Sequence, residues 1–144
     1  MRPTPLHARR QDWPERLAAL FEERRAYPFT WGVQDCCMFA GDAALAVTGR
    51  DPFQPYRGLY ATEAEGDAIL APFGGLVPFL DATFDAFGAI GCREQHAQRG
   101  DLALILVGNQ PLMGVIFALG QVAVPGESGL SFLRLTRAER CWAI

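Results

Sequence analysis

The sequence predicts an α+β fold, in which helices from the N-terminal part pack on an antiparallel sheet from the C-terminal part. Before Arg99, apolar residues recur at helical spacing in several segments. After Arg99, short β-rich runs are separated by Gly, Pro and Asn. Helices followed by strands that are joined by tight turns are typical of α+β proteins. The chain has 144 residues, which is the size of one domain. Half of the residues are hydrophobic, so the domain can bury a substantial core.

The first part of the chain predicts an arm and a helix. Residues 1–11 contain Pro3 and Pro5, and we expect them to form an N-terminal arm ahead of a single domain at residues 12–144. The helix is predicted in DWPERLAALFEERRAY, with Asp12 as its cap and Pro14 in its first turn. Its inward face carries Leu17, Leu20 and Phe21, and it should end before Pro28.

A second helix is predicted from Asp35 to Val47, because Asp is a favoured N-cap residue and Gly49 is a typical stop. Its inward face consists of Phe39, Ala43, Ala44 and Val47. The prolines of RDPFQPYRGLY predict a loop. Two further helices are then expected, one capped by Thr62 and one kinked or started at Pro78. The predicted strands are DLALILV, LMGVIFALG, QVAVPG, LSFLRL and RCWAI.

Charge and composition exclude some classes of function. The net charge of −3 argues against a nucleic-acid-binding protein, because such proteins present a basic surface. The longest apolar run, LVPFLDATF, is short and interrupted by charge, so we expect no signal peptide and no membrane-spanning segment. We therefore expect a reducing cytoplasm, where cysteines remain free thiols. The four cysteines are Cys36, Cys37, Cys92 and Cys141.

The position of Cys36 is typical of a nucleophile. It follows Asp35 at the start of the second predicted helix, where the helix dipole and unpaired N–H groups lower the pKa of a thiol. In cysteine hydrolases a histidine takes the thiol proton, and a third polar group orients the histidine. A cysteine at a helix start, followed in the chain by an antiparallel sheet, is the layout of a papain-like site.

These features resemble the NlpC-type cysteine peptidases, a bacterial and phage branch of the papain-like fold. The matching segments are Trp31-Gly32, Asp35-Cys36, RGDLALIL and LMGVIFALG. The chain is also similar to a family of small phage and prophage proteins, usually encoded among tail genes, which share WG…DCC.F..D, RGD and a terminal W.I. The resemblance covers residues 28–144 and implies an NlpC-like fold with N-terminal helices on the sheet.

By this resemblance Cys36 occupies the nucleophile position, and Cys37 stands where the peptidases usually carry serine. The catalytic histidine of active relatives opens the strand as His-x-Gly-Val, which is Leu112-Met113-Gly114-Val115 here. The histidine position is therefore Leu112. The orienting group should fall within residues 122–125, which are all apolar or proline. The resemblance thus implies a degenerate catalytic site.

Two histidines remain as candidate bases. His96 lies just before the first predicted strand, at the wrong end of its segment for the family geometry unless the loop folds back. His7 lies in the arm. Without a base, a hydrolase loses a factor of roughly 10²–10⁴ in rate. We therefore expect weak hydrolysis or none, with His96 as the alternative base.

The same residues have structural interpretations. Cys36 also fits as a small buried residue, because free cysteine packs like a small hydrophobe. Asp35 is explained by helix capping alone, and Asp42 fits either a bond to the loop around Trp31 or a solvated position. We expect no metal and no cofactor: Cys92 and His96 have a Cys-x₃-His spacing, but no Cys-x₂-Cys pair accompanies them.

Two functions follow from the resemblance. The first is a structural protein of a phage or prophage tail tip, which contacts other tail-tip or hub proteins. It would be made in the bacterial host cytoplasm and then reside in the virion tail. The second is a cysteine peptidase or amidase that acts on peptidoglycan peptides, with Cys36 as nucleophile. A third possibility is a small module that binds a peptide in the residual cleft.

Overall fold

Helices precede the sheet, as the sequence predicts. The computed structural model describes residues 1–118 and 120–144. Within this part of the chain the helices are α1 (Trp13–Arg24), α2 (Cys36–Thr48), α3 (Glu63–Leu70) and α4 (Leu76–Phe87). The strands are β1 (Ile90–Cys92), β2 (Leu102–Val107), β3 (Gln110–Ala118), β4 (Gln121–Gly126), β5 (Gly129–Arg134) and β6 (Ala138–Ala143). The predicted α+β class is confirmed.

All six described strands form one antiparallel sheet in the order β1-β6-β2-β3-β4-β5. The last strand of the chain, β6, therefore lies between β1 and β2. Strand β1 was not predicted, because three residues are too short to show an alternating pattern. Its pairing with β6 is a long-range contact that a local sequence pattern does not contain.

The helix ends follow their capping residues closely. Asp35 caps α2 by accepting a hydrogen bond from the Met38 amide, and Gly49 ends the helix with a positive φ of 80°. Asp12 occupies the N-cap position of α1 as predicted, but its side chain makes no capping bond and accepts a hydrogen bond from Arg16 instead. Helix α4 begins at Leu76, two residues before the predicted Pro78, which lies in its first turn.

The sheet separates two apolar clusters. On the helical side, residues such as Leu102, Leu104 and Met113 pack against the inner faces of the helices. On the opposite side lie Ala103, Ile105, Ile116, Val122, Val124 and Cys141. Alternate residues of β2 enter different clusters, because successive side chains of a strand point to opposite faces.

The N-terminal segment is attached to the domain through Asp101, a fully buried carboxylate. Arg2 donates two hydrogen bonds to this carboxylate, and Arg9, the Gln98 amide and the Ile144 amide each donate one. Both described ends of the chain thus meet at the RGD turn that precedes β2. The division at residue 11 stays a prediction.

No single helix in the described ranges is long and apolar enough to cross a membrane. One bent pair, Glu63–Phe73 with Leu76–Phe87, satisfies the requirement by length and composition alone.

Candidate functional site

The loop before α2 is organised around the carboxylate of Asp35. One carboxylate oxygen accepts the capping bond from Met38, and the other accepts bonds from the Gly32 amide at 2.9 Å and the Tyr60 hydroxyl at 2.5 Å. The residue is 2% exposed. Burial, followed by the Asp35 hydrogen bond, raises the pKa of Tyr60 above its ordinary value, so the hydroxyl remains a donor. Asp35 therefore acts as a structural anchor for this loop.

Glycine is required at position 32 for two reasons. Its φ of 78° lies in the left-handed region, and a Cβ there would collide with the carbonyl oxygen of Tyr60. The Trp31-Gly32…Asp35-Cys36 motif thus lets the Tyr60 loop approach the start of α2. Sequence reasoning identified the motif but missed Tyr60, which lies 25 residues beyond Asp35.

Cys36 and Cys37 form an interacting thiol pair at the start of α2. A hydrogen bond from the Cys37 thiol lowers the pKa of Cys36; burial opposes this shift, and the Met113 amide adds to it. The same bond, together with burial, raises the pKa of Cys37 well above its ordinary value. Cys36 is therefore the member of the pair that ionises first, which is the property a nucleophile requires.

The thiol pair lines a cleft of about 590 Å³. Its walls come from the start of α2, from α3 and α4, and from the first residues of β3. Most of the wall is apolar, and the aromatic members are Phe29, Trp31, Phe53, Tyr56, Tyr60 and Phe79. Two exposed acidic residues of α3, Glu63 and Asp67, also line the cleft. Sequence reasoning missed both, because neither lies near the cysteine motif in the chain.

Strand β3 borders the cleft with its first residues, from Gln110 to Leu112. Leu112, the residue at the histidine position of the resemblance, lines the cleft and is half-buried. Met113 is fully buried on the helical side of the sheet, and its backbone amide lowers the pKa of Cys36. On β4, Ala123 is the residue of 122–125 that packs in the same helix-side cluster.

Neither histidine lines the cleft. His96 lies within hydrogen-bond distance of the Met1 amino group, at 3.2 Å from Nε2, and His7 packs edge-on against Phe87. The loop of His96 thus contacts the N-terminus of the chain instead of folding back to α2. The structure does not bring Cys36 and His96 together.

Asp42 belongs to an ion-pair network one and a half turns along α2. Its carboxylate accepts bonds from Arg24 at 2.7 Å and from Arg57 at 2.8 Å. Arg57 also bonds to Asp51 and to the carbonyl of Met38. This network ties α2 to α1 and to the loop after α2, so the solvated alternative for Asp42 was wrong. Arg24 also bonds to Gln34 of the loop around Trp31, so Asp42 reaches that loop indirectly.

A metal site is not formed by the side chains that the structure describes. No group of three or more His, Cys, Asp or Glu residues in that part of the chain has a suitable arrangement. Cys92 and His96 therefore have no third metal ligand beside them among the described residues.

The fold is similar to that of a solved structure. The NlpC/p60 domain of the peptidoglycan hydrolase SagA is similar to the chain with a TM-score of 0.55 and 17% identity. The match covers 90% of this chain and 97% of that domain. At this level of sequence identity, the structural similarity shows that the two proteins share a fold. The predicted NlpC-like fold is therefore confirmed.

Two comparisons of sequence complete the assignment. No curated protein matches the chain. A family model described as "Domain of unknown function (DUF6950)" matches residues 8–144, which is nearly the whole sequence. The chain therefore belongs to the DUF6950 family and has an NlpC/p60-like fold.

Proposed function

We propose that this protein is a noncatalytic, NlpC-like assembly component of a phage or prophage tail tip. Its cleft beside Cys36 binds a segment of a neighbouring tail-tip or hub protein. The protein would be synthesised in the bacterial host cytoplasm and would then remain in the virion tail.

The observation that carries this proposal is that no histidine lines the cleft beside Cys36 in the described part of the chain, where Leu112 stands at the position that the resemblance assigns to the base. A leucine accepts no proton, and the histidines of the chain contact Met1 and Phe87. The Cys36 thiol therefore has no imidazole partner in the described structure. Loss of general acid–base help costs roughly 10²–10⁴ in rate, so the cleft supports binding better than hydrolysis.

The phage tail assignment is supported by the shared sequence pattern. WG…DCC.F..D, RGD and the terminal W.I stand in this chain as in the small proteins encoded among tail genes. The structure explains part of this pattern physically, because Gly32, Asp35 and Asp101 each hold a loop or a chain end in place.

The charge of the cleft indicates the chemistry of the bound segment. Glu63 and Asp67 are one helical turn apart at its edge, and neither forms an ion pair with the described residues. The remaining wall is mainly apolar and aromatic. A segment that presents an apolar side chain next to Lys or Arg complements both features.

Deletion in the encoding phage or prophage tests the assembly role. We expect particles without this polypeptide to be defective in tail assembly or infection. Fully assembled and infective particles that lack the polypeptide would overturn the proposal. Glu63→Arg with Asp67→Arg tests the cleft, because charge reversal should prevent incorporation of the protein into tails. Glu15→Arg on the exposed surface of α1 is the matched control and should be incorporated normally.

A peptidoglycan digestion assay tests the noncatalytic character. Wild type and Cys36→Ala should release equally little material. A wild type that is clearly more active than Cys36→Ala would contradict the proposal.

The second candidate is a cysteine peptidase or amidase acting on peptidoglycan peptides. It is favoured by the Cys36 thiol, whose pKa is lowered by Cys37 and by the Met113 amide. In this function the thiolate attacks a peptide carbonyl carbon, the leaving amine departs with a proton, and water then hydrolyses the Cys36 thioester to release the carboxylate product and the free thiol. The expected result is hydrolysis by wild type that Cys36→Ala abolishes and that Cys92→Ala retains.

A further inference from the structure

Cys92 and Cys141 are paired directly across two antiparallel strands. Cys92 ends β1, and its register partner on β6 is Cys141. Both side chains belong to the apolar cluster on the face of the sheet opposite the helices. Both are free thiols in the structure. Neither takes part in the cleft described above.

The register places these two residues at a separation that suits a disulfide. Residues directly opposite each other in antiparallel strands have Cα atoms about 4.5 or 5.5 Å apart, depending on the hydrogen-bonding position. Disulfides span Cα separations of about 4.4 to 6.8 Å. The bond can therefore form while the two strands keep their pairing.

We propose that Cys92 and Cys141 form an oxidative modification site, at which a small-molecule disulfide converts the two thiols to an intramolecular disulfide. This site is independent of the cleft and of the function proposed for it. The disulfide stabilises the folded protein under oxidising conditions.

The chemistry is two successive thiol–disulfide exchanges. The Cys92 thiolate attacks one sulfur of the small disulfide, which forms a mixed disulfide and releases one small thiolate. The Cys141 thiolate then attacks the Cys92 sulfur, which forms the Cys92–Cys141 bond and releases the second small thiolate. The two protein thiols lose two electrons and two protons, and the small disulfide becomes two small thiols.

The different burial of the two thiols sets this order. Cys92 is half-buried and Cys141 is 3% exposed, so an oxidant reaches Cys92 first. Burial raises the pKa of Cys92 to about 11 and that of Cys141 to about 12. These values include smaller effects: Asp101 raises and Arg2 lowers the pKa of Cys92, while Cys92, Glu94 and Asp101 raise the pKa of Cys141. Because the thiolate is the attacking form, exchange should be slow at neutral pH and faster in mildly alkaline solution.

The cleft thiols provide an internal comparison. Cys36 and Cys37 are adjacent residues of α2, and adjacent Cα atoms are about 3.8 Å apart, below the usual disulfide range. An oxidant should therefore join Cys92 to Cys141 but should leave Cys36 and Cys37 unjoined to each other.

Cleavage after arginine separates the relevant cysteines for the test. Cys36 and Cys37 fall in the peptide 26–50, Cys92 falls in 58–93, and Cys141 falls in 141–144. The full-length protein is incubated with oxidised glutathione in mildly alkaline buffer, remaining thiols are blocked with iodoacetamide under denaturing conditions, and the digest is analysed by mass spectrometry. We expect peptide 58–93 joined to 141–144, and its loss after reduction.

Two controls make the outcome decisive. In Cys92→Ser the joined peptide should be absent, and in a Cys36→Ala/Cys37→Ala variant it should form as in wild type. The oxidised protein should also melt several degrees above the reduced one, because the bond restricts the unfolded chain. Separate alkylation of Cys92 and Cys141, or a joined peptide that contains 26–50 instead, would overturn the proposal.

Discussion

The hydroxyl of Tyr60 donates a hydrogen bond to Asp35, the residue that caps the helix starting at Cys36. Tyr60 also lines the cleft, so the carboxylate that caps α2 also holds one wall of the cleft in place. The position of the Cys36 thiol and the shape of the cleft beside it depend on one buried side chain.

The capping role of Asp35 predicts a stability loss on substitution. In Asp35→Ala, the Met38 and Gly32 amides and the Tyr60 hydroxyl lose their acceptor. Loss of a cap costs about 0.5–2 kcal/mol, and the other unpaired donors should take the loss to the upper end of that range or above it. Urea unfolding measures the change. Asp12→Ala is the matched control, because Asp12 precedes α1 without a capping bond and should cost less than about 0.5 kcal/mol.

The close approach of Tyr60 to Gly32 predicts that alanine substitution destabilises the protein more at Gly32 than at Gly58, although the two glycines have similar backbone angles. Gly32 and Gly58 have φ values of 78° and 77°, but only an added Cβ at Gly32 meets a neighbour within 4 Å. Gly58→Ala should cost about 1–2 kcal/mol, the usual penalty of the left-handed conformation. Gly32→Ala should cost more, because the Tyr60 backbone must also move. Equal losses in urea unfolding would contradict the close approach.

The thiol pair predicts how Cys36 responds to a change at Cys37. The Cys37 hydrogen bond is the largest cause of the lowered pKa of Cys36, so Cys37→Ala should raise that pKa. Alkylation of Cys36 should then require higher pH than in wild type. Mass spectrometry of peptide 26–50 after timed iodoacetamide treatment measures the rate at each pH. Cys92→Ala should leave the profile unchanged, and an unchanged profile in Cys37→Ala would exclude the proposed hydrogen bond.

The raised pKa values of Cys92 and Cys141 predict a loss of stability in alkaline solution. Unfolding returns both thiols to ordinary values near 9, so the unfolded chain releases its protons first as pH rises. Their contribution is fully present below pH 9 and is lost between about pH 9 and 12. Urea unfolding under reducing conditions should show a shallower alkaline loss in a Cys92→Ala/Cys141→Ala variant. A slope equal to that of wild type would contradict this assignment.

Substitution of Asp101 should lower the free energy of unfolding more than substitution of Asp35 or Asp81. Its carboxylate is fully buried and accepts bonds from Arg2, Arg9 and the Ile144 amide. Removing one partner of a buried ion pair typically costs about 3–5 kcal/mol, and here the Arg9 side chain, which is only 10% exposed, would keep its charge without a carboxylate partner. Urea unfolding of Asp101→Ala measures this loss. Asp81→Ala breaks the exposed pair with Arg140 and should cost less than about 1 kcal/mol.

The sequence was informative where structure depends on residues close together in the chain. The Asp35 cap and the glycine stop at Gly49 were predicted because their hydrogen-bond partners lie within four residues. The motif Trp31-Gly32…Asp35-Cys36 also identified the start of α2 as the candidate site. Where local alternatives competed, as for Asp12 between a cap and a pair with Arg16, the local pattern did not decide.

The sequence by itself determined the α+β class, the position of a cysteine at a helix start and the apolar residue at position 112. Tertiary structure decided which side chains meet there: Tyr60 joins Asp35, Glu63 and Asp67 reach the cleft, and His96 lies with Met1. It also placed Cys92 opposite Cys141 through the pairing of β1 with β6. The physical reason is that caps and turns are satisfied within a few residues. Cleft walls and strand neighbours are instead chosen by the burial of the whole chain.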